Sequence, residues 1–173
     1  MQSAECIRTR ASVRSYKPDP IPDNIMRQII EAATRAPSSG NVQDWEFVIV
    51  KTPEGKAALA SAAFNQGFIS TAPAVVVICS DLEKITNAYG ERGRALYSVQ
   101  NTSAAAQNLM LAAWDNGIGT CWIGAFNEEA VKEALVMPAD VRPLAIITMG
   151  YPAAKPIPSR RRPIGEVMRW ETF

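Results

Sequence analysis

From Ala95 to Trp114 the chain runs twenty residues without a charge, yet Ser98, Gln100, Asn101, Thr102, Ser103, Gln107 and Asn108 are interleaved with Ala, Leu and Met. Interleaved polar groups argue against lipid as the solvent. The stretch is expected to be a buried helix. Its second half, Leu109 to Trp114, is apolar on every side, which calls for enclosure by its own domain or by a second subunit. Gly117 supplies the stop. The run IGTCWIGAF that follows is β-prone, and glycines at 119 and 124 let backbone approach a flat ligand closely. A central helix feeding a glycine-bearing strand edge reads as a cofactor seat.

The same reading predicts the other elements. A short helix covers Ser3 to Thr9, and Pro18, Pro20 and Pro22 keep the next segment extended. Asp23 is expected to cap a helix running to about Ala36, with Ile25, Met26, Ile29, Ile30 and Ala33 on one face, ended by Pro37. A strand follows at Trp45–Val50. Thr52 and Pro53 open a helix to about Ala63. The β-branched run Ala74–Ser80 predicts a strand buried on both faces. Asp81 to Arg94, polar and broken by glycines, is expected to be a mobile surface connection or a short lid. Asn127 caps a helix with an acidic first turn, ended by Pro138. Leu144–Met149 is the last core strand. The tail, residues 151–173, is rich in proline and arginine but ends in Val167, Met168, Trp170 and Phe173, an apolar end expected to dock on a second subunit. No repeat or composition shift marks a boundary, so residues 1–173 are expected to form one domain.

Composition narrows the chemistry. With 47% hydrophobic and 20% charged residues, 173 residues suit one soluble globular core. A net charge of +1 leaves no electrostatic footprint for nucleic acid or an acidic membrane. Three scattered cysteines make a disulfide framework an unlikely plan and point to a reducing, cytoplasmic compartment. There is no histidine. Ser-His and Cys-His nucleophiles are therefore excluded, and the common zinc and non-haem iron sites lose their preferred ligand; no metal site is expected. What remains easy is chemistry carried by a bound organic cofactor.

Several stretches carry candidate chemistry. Around RASVRSY, Arg8, Arg10 and Arg14 bracket Ser12, which taken alone reads as a solvated basic turn. The loop Ser38, Ser39, Gly40, Asn41, Gln43 is either routine turn chemistry or a set of hydroxyl and amide groups for a polyhydroxylated heteroaromatic ligand. GIGTCW fails as a dinucleotide fingerprint, since its third glycine is missing and no strand precedes it. Cys121, without a C-x-x-C partner and among apolar neighbours, reads as a packed thiol.

Taken in order, RASVRSY, APSSGNVQDWEFVIV, FISTAPAVVVIC, AAAQNLMLAAWDNGIGTCWIGAF and MGYP followed by RRRPIGEV resemble the FMN-dependent nitroreductase family in its short form. The resemblance implies an α+β fold, a mainly antiparallel central sheet flanked by helices, in an intertwined homodimer with two FMN sites at the interface and the tail wrapped over the partner. It implies that Arg10, Ala11 and Ser12, together with Arg161 and a neighbour, Arg160 or Arg162, hold the phosphate. Arg14 would face the pyrimidine edge of the ring, stabilising the reduced flavin's anion at N1. Pro37, Ser38, Ser39, Asn41 and Gln43 would reach across the dimer to the ring and ribityl chain, although Asp44 stands where a proline is common. Gln66 would sit at the pyrimidine end. Cys121, Trp122, Ile123 and Gly124 would lie against the central ring, with the Gly124 N–H donating to N5. Many relatives carry an acidic residue at or beside that position and this chain does not, so substrate preference does not carry over. The implied reaction passes hydride from NADH or NADPH through N5 to a small oxidised acceptor, such as a nitroaromatic or quinone, by ping-pong turnover. The rival readings are a flavin-binding redox sensor or carrier without turnover and a reductive dehalogenase-like member of the same superfamily.

Overall fold

A run of valines and isoleucines wants cover on both faces, and the protein supplies it: Val75 to Cys79 are each wholly inaccessible to solvent. The computed structural model describes residues 1–173. In chain order its helices are α1 (Ser3–Thr9), α2 (Asp23–Ala33), α3 (Pro53–Ala62), α4 (Phe68–Thr71), α5 (Leu82–Arg92), α6 (Ser98–Asp115), α7 (Glu128–Leu135) and α8 (Ile164–Val167). Its strands are β1 (Trp45–Val50), β2 (Ala74–Asp81), β3 (Gly119–Ile123) and β4 (Val141–Gly150). They form one sheet in the order β1-β2-β4-β3, every pair antiparallel, with Val77 opposite both Val48 and Ile146. The fold is α+β, as expected.

Period-two alternation along the strands divides the core between the two faces. On one, Val76, Ile78, Ile147 and Met149 pack with Met26 and Ile29 of α2 and with Leu109, Met110 and Ala113 of α6. On the other, Val75, Val77, Cys79 and Ile146 pack with Leu59 of α3, Ile69 of α4 and Val131 of α7. Helix α6 has 18 residues and so spans about 27 Å. Its end is closed by Gly117 at φ +73°, whose N–H donates to Trp114 O at 3.0 Å while Ile118 N–H reaches Ala113 O at 2.9 Å. No helix is long and apolar enough to cross a membrane.

Several expectations need correction. Asp81–Arg94 is helical rather than irregular: Asp81 Oδ1 accepts from Lys84 N at 2.9 Å and caps α5, which buries Leu82 and Ile85. Only at Gly90, in a backbone conformation reserved for glycine, does the helix break, and a π-type turn at Gly93–Tyr97 then delays α6 from the expected Ala95 to Ser98. Asp23 does not cap α2. Pro22 takes that position, and the Asp23 carboxylate pairs with Lys51 instead. That helix ends at Ala33 rather than Ala36, and α7 ends at Leu135, where Val136 turns left-handed two residues before Pro138. Strand β4 starts at Val141 rather than Leu144; a bulge opposite Ile78/Cys79 lets Pro143, which has no N–H, sit within it.

Gly119 was expected to leave room for a ligand, but the protein itself uses the room. A Cβ there would lie 2.6 Å from Val13 Cγ2. Gly119→Ala is therefore expected to cost roughly 1–3 kcal/mol by overpacking. A lower urea midpoint followed by tryptophan fluorescence, recovered in large part by adding Val13→Ala, is the check.

Candidate active site

The first candidate segment is built by strand periodicity. Helix α1 gives way at Arg10 to extended backbone, after which Ala11 and Val13 turn inward and are buried while Ser12 and Arg14 turn outward. Arg10 is half-buried beside them. Val13 N–H donates to Thr120 O at 2.9 Å, and Ser12 bridges Thr120 in parallel, so the segment runs along the free edge of β3. Tyr16 pins it: its hydroxyl donates to Val13 O at 2.5 Å and, having one proton only, accepts from Thr148 Oγ1 at 2.6 Å. Burial holds the Tyr16 phenol well above its ordinary pKa, so it stays a neutral donor.

This placement gathers several of the predicted residues. The Arg14 guanidinium carbon lies 5.9 Å from the centre of the Phe68 ring. Arg14 and Arg10 both pull the Cys121 thiol toward its ionised form, but burial outweighs them and its pKa is raised, which makes Cys121 a packed thiol beside cations. Every ion pair of the chain uses other cations, leaving Arg10, Arg14, Arg160, Arg161 and Arg162 without a carboxylate. Two unpaired guanidinium groups and a hydroxyl along this edge are donors suited to an anionic ligand. Gln66 Nε2 donates to Ala63 O at 3.0 Å and to Ala125 O at 3.4 Å, tying it to the segment just past Gly124. Gly124 is exposed, and a Cβ there would meet nothing nearer than Trp122 Nε1 at 3.7 Å. The chain's own packing gives no reason for glycine at that position. Trp122, the outward residue of β3, is 37% exposed, while Ile123 faces the core.

The second candidate segment lies elsewhere. Ser39–Asn41 form a 3-10 turn held to the first turns of α6, where Asn101 Oδ1 accepts from Ser39 N at 3.0 Å. The first segment is held to the last turn, where Trp114 Nε1 donates to Thr9 Oγ1 at 2.9 Å. Asn101 and Trp114 are 114 − 101 = 13 residues apart, about 20 Å along the helix axis. Within one chain Pro37, Ser38, Ser39, Asn41 and Gln43 are thus kept away from Arg10, Ser12 and Arg14.

The tail starts beside the first segment. Ala153 N donates to Ser15 O at 3.0 Å, and a hollow of 160 Å³ is lined by Ser12, Arg14, Ser15 and Lys155. Larger hollows, of 580 Å³ between α3 and α7 and of 520 Å³ between α2 and β1, contain none of the candidate residues. Arg160 is four residues past Pro156 on the hollow's rim, at most about 14 Å of chain. Arg161 Nη1 donates to the carbonyls of Ser159 and Arg160, both at 3.1 Å, and the segment is exposed. Lys155, Phe68, Asp44 and Asn101 were not predicted as site residues. Lys155 carried only the signal of a lone cation beyond the last strand.

An antiparallel sheet between two helical layers, with a cation-bearing segment laid along one edge, defines an α+β enzyme class of nitroreductase type. The chain belongs to the nitroreductase family, whose profile matches residues 7–68 and 60–151. It is 34% identical over 188 residues to an NADH dehydrogenase of Thermus thermophilus, covering 93% of this chain and 92% of that one. Among solved structures, nitroreductase A of Vibrio parahaemolyticus superposes with a TM-score of 0.91 at 26% identity, covering 100% of this chain and 77% of that one. A nitroreductase family protein of Streptococcus pneumoniae gives 0.88 at 29% identity, covering 98% and 100%. Membership makes the protein an oxidoreductase by class.

Cys6, Cys79 and Cys121 are 5%, 0% and 2% exposed, and burial pushes Cys79 up to about 12 and Cys121 upward as well. Raised values mean little thiolate at neutral pH. A disulfide-exchange reagent at pH 8 is expected to find no fast-reacting thiol in the native protein and three after denaturation; a rapid equivalent mapped to Cys121 would reveal a reactive thiol beside Arg14.

Proposed function

We propose that the protein is an FMN-dependent oxidoreductase that takes electrons from NADH or NADPH and delivers them to a small oxidised acceptor such as a nitroaromatic or a quinone. The observation that carries this reading is the outward face of Arg10, Ser12 and Arg14, cationic and unpaired, beside a strand end where Gly124 is free of steric demand. Arg10, the Ala11–Ser12 backbone and hydroxyl, and Arg161 with Arg160 or Arg162 neutralise the phosphate. Arg14 supplies a fixed positive charge toward the pyrimidine edge, with Gln66 near it. The backbone of Cys121, Trp122, Ile123 and Gly124 would hold the ring, and the Gly124 N–H would supply the donor for N5. Bound FMN supplies reversible hydride acceptance. Nicotinamide donor and acceptor use one open face in turn, which makes turnover ping-pong, and the product takes its protons from water.

The site is completed by a second copy of the chain. Helix α6 holds the anchor of the Pro37, Ser38, Ser39, Asn41 and Gln43 loop, at Asn101, about 20 Å along its axis from the anchor of the first segment, at Trp114, so the loop serves the flavin of the partner subunit, giving a homodimer with two sites. The tail fits the same arrangement. Ile157, Trp170 and Phe173 are 85%, 76% and 107% exposed on the isolated chain, and such apolar area is stabilised by covering a partner.

The purified or FMN-reconstituted protein is expected to be yellow, and NADH or NADPH under nitrogen to bleach it. Arg10→Ala should weaken FMN binding by about 10- to 100-fold, the worth of one charge-assisted contact. Arg14→Gln should lower the flavin midpoint potential, read by spectroelectrochemistry. A protein colourless after reconstitution overturns the reading. Colour that persists with both nicotinamides replaces it with a redox carrier without turnover.

A further inference from the structure

The loop of Ser38–Gln43 is not held by its own turn chemistry alone. Asp44, at its exit, is wholly inaccessible and has no cation partner. Its Oδ1 accepts from Asn101 Nδ2 at 2.6 Å and its Oδ2 pairs with Ser80 Oγ at 2.5 Å. Asn101, 3% exposed, turns its other end to the loop: Oδ1 accepts from Ser39 N at 3.0 Å and from Ser39 Oγ at 3.3 Å. The orientation of this amide is not a free choice. A backbone N–H only donates, so Oδ1 must face Ser39, and Nδ2 must then face the carboxylate.

We propose that Asp44 and Asn101 are positioning residues that fix the loop's ligand-facing conformation and set the polarity of Ser39. With its hydroxyl proton turned toward Asn101 at 3.3 Å, Ser39 presents lone pairs outward and is set to accept from a ligand donor. Under the flavin reading, on which this inference rests, the donors available are the ribityl hydroxyls and the ring N3–H.

The loop needs such support. Gly40, Asn41 and Gln43 all lie in the left-handed region, at φ 55°, 57° and 54°, and two of the three are not glycine. Ser38 Oγ accepting from Gln43 N at 3.1 Å and Lys84 Nζ donating to Gln43 O at 3.0 Å hold the far end. The Asp44–Asn101 pair holds the near end from inside the protein. A buried pair at one end and two exposed hydrogen bonds at the other leave the outward groups pre-set before a ligand arrives, which lowers the ordering cost of binding.

The test uses Asn101→Ala and Asp44→Asn in the full-length protein. In the FMN-free state, Asn101→Ala should speed hydrogen exchange in the 37–43 segment by about tenfold or more through loss of a buried acceptor, with β2 and β4 unchanged. It should also weaken FMN binding, by fluorescence quenching, by about tenfold. Asp44→Asn keeps an acceptor for Asn101 and a donor for Ser80, and should stay within about threefold of the parent on both measurements. Ser39→Ala combined with Asn101→Ala should lose less FMN affinity than the sum of the two single losses, since Asn101 acts on the ligand through Ser39. Unchanged exchange in Asn101→Ala, or fully additive losses, overturns the proposal. A parent protein that binds no FMN overturns the flavin reading instead, and exchange then still decides the positioning role.

Discussion

The burial of α6 against the sheet is the constraint on which the rest of the structure depends. Leu109, Met110 and Ala113 lock its second half against Val76, Ile147 and Met149, so the helix is a rigid spacer. Each of its ends carries one group of candidate ligand contacts. Asn101 anchors the polar loop near the start, and Trp114 with Asp115 anchors the amino-terminal segment at the finish, through Thr9 and the chain's first ammonium. Moving either group toward the other would require breaking a packed core. The spacing of the two groups is a property of the helix.

Electrostatics divides the molecule in a matching way. Some cations that serve structure are paired with carboxylates, Lys51 with Asp23, Arg142 with Glu128 and Lys132 with Glu129, and others, Lys56 and Lys84, donate to backbone carbonyls. In the second pair, Arg142 holds the Glu128 carboxyl below its usual range and is itself raised, although partial exposure keeps its worth modest. Cations facing the candidate site are left open, and the titratable groups they flank, Cys121 and Tyr16, have their pKa values raised by burial against that pull. Most of the 18 basic side chains lack a carboxylate partner, so what sets Arg10 and Arg14 apart is their place beside Cys121 along the β3 edge.

Glycine placement separates two uses that look alike in the sequence. Gly119 and Gly124 bracket the same strand, but the first is filled by Val13 and holds the arginine segment on the β3 edge, while the second borders open space. Thus Gly119 acts through the protein's own packing and only Gly124 is left for a ligand. Asp44 offers a similar lesson. Its position read as a departure from a family pattern, and it is the buried end of a hydrogen-bonded relay reaching Ser39.

What the sequence determined by itself is what short-range physics controls. The β-branched run of β2, the uncharged body of α6 with Gly117 behind it, and the caps at Thr52 and Asn127 are each set by neighbours within a turn or two. The grouping of Arg10, Ser12 and Arg14 follows as well, because alternate residues of an extended segment share a face. Where local signals competed, the reading failed: glycines and charges in Asp81–Arg94 masked the Asp81 cap, and a proline ahead of Asp23 displaced it from the cap position. Only the tertiary structure decided that Arg10 and Arg14 flank Cys121, that Val13 fills Gly119, and that Asp44 meets Asn101 across 57 residues. Those pairings depend on how the sheet orders its strands and where α6 crosses them, and no spacing along the chain encodes a distance through the core.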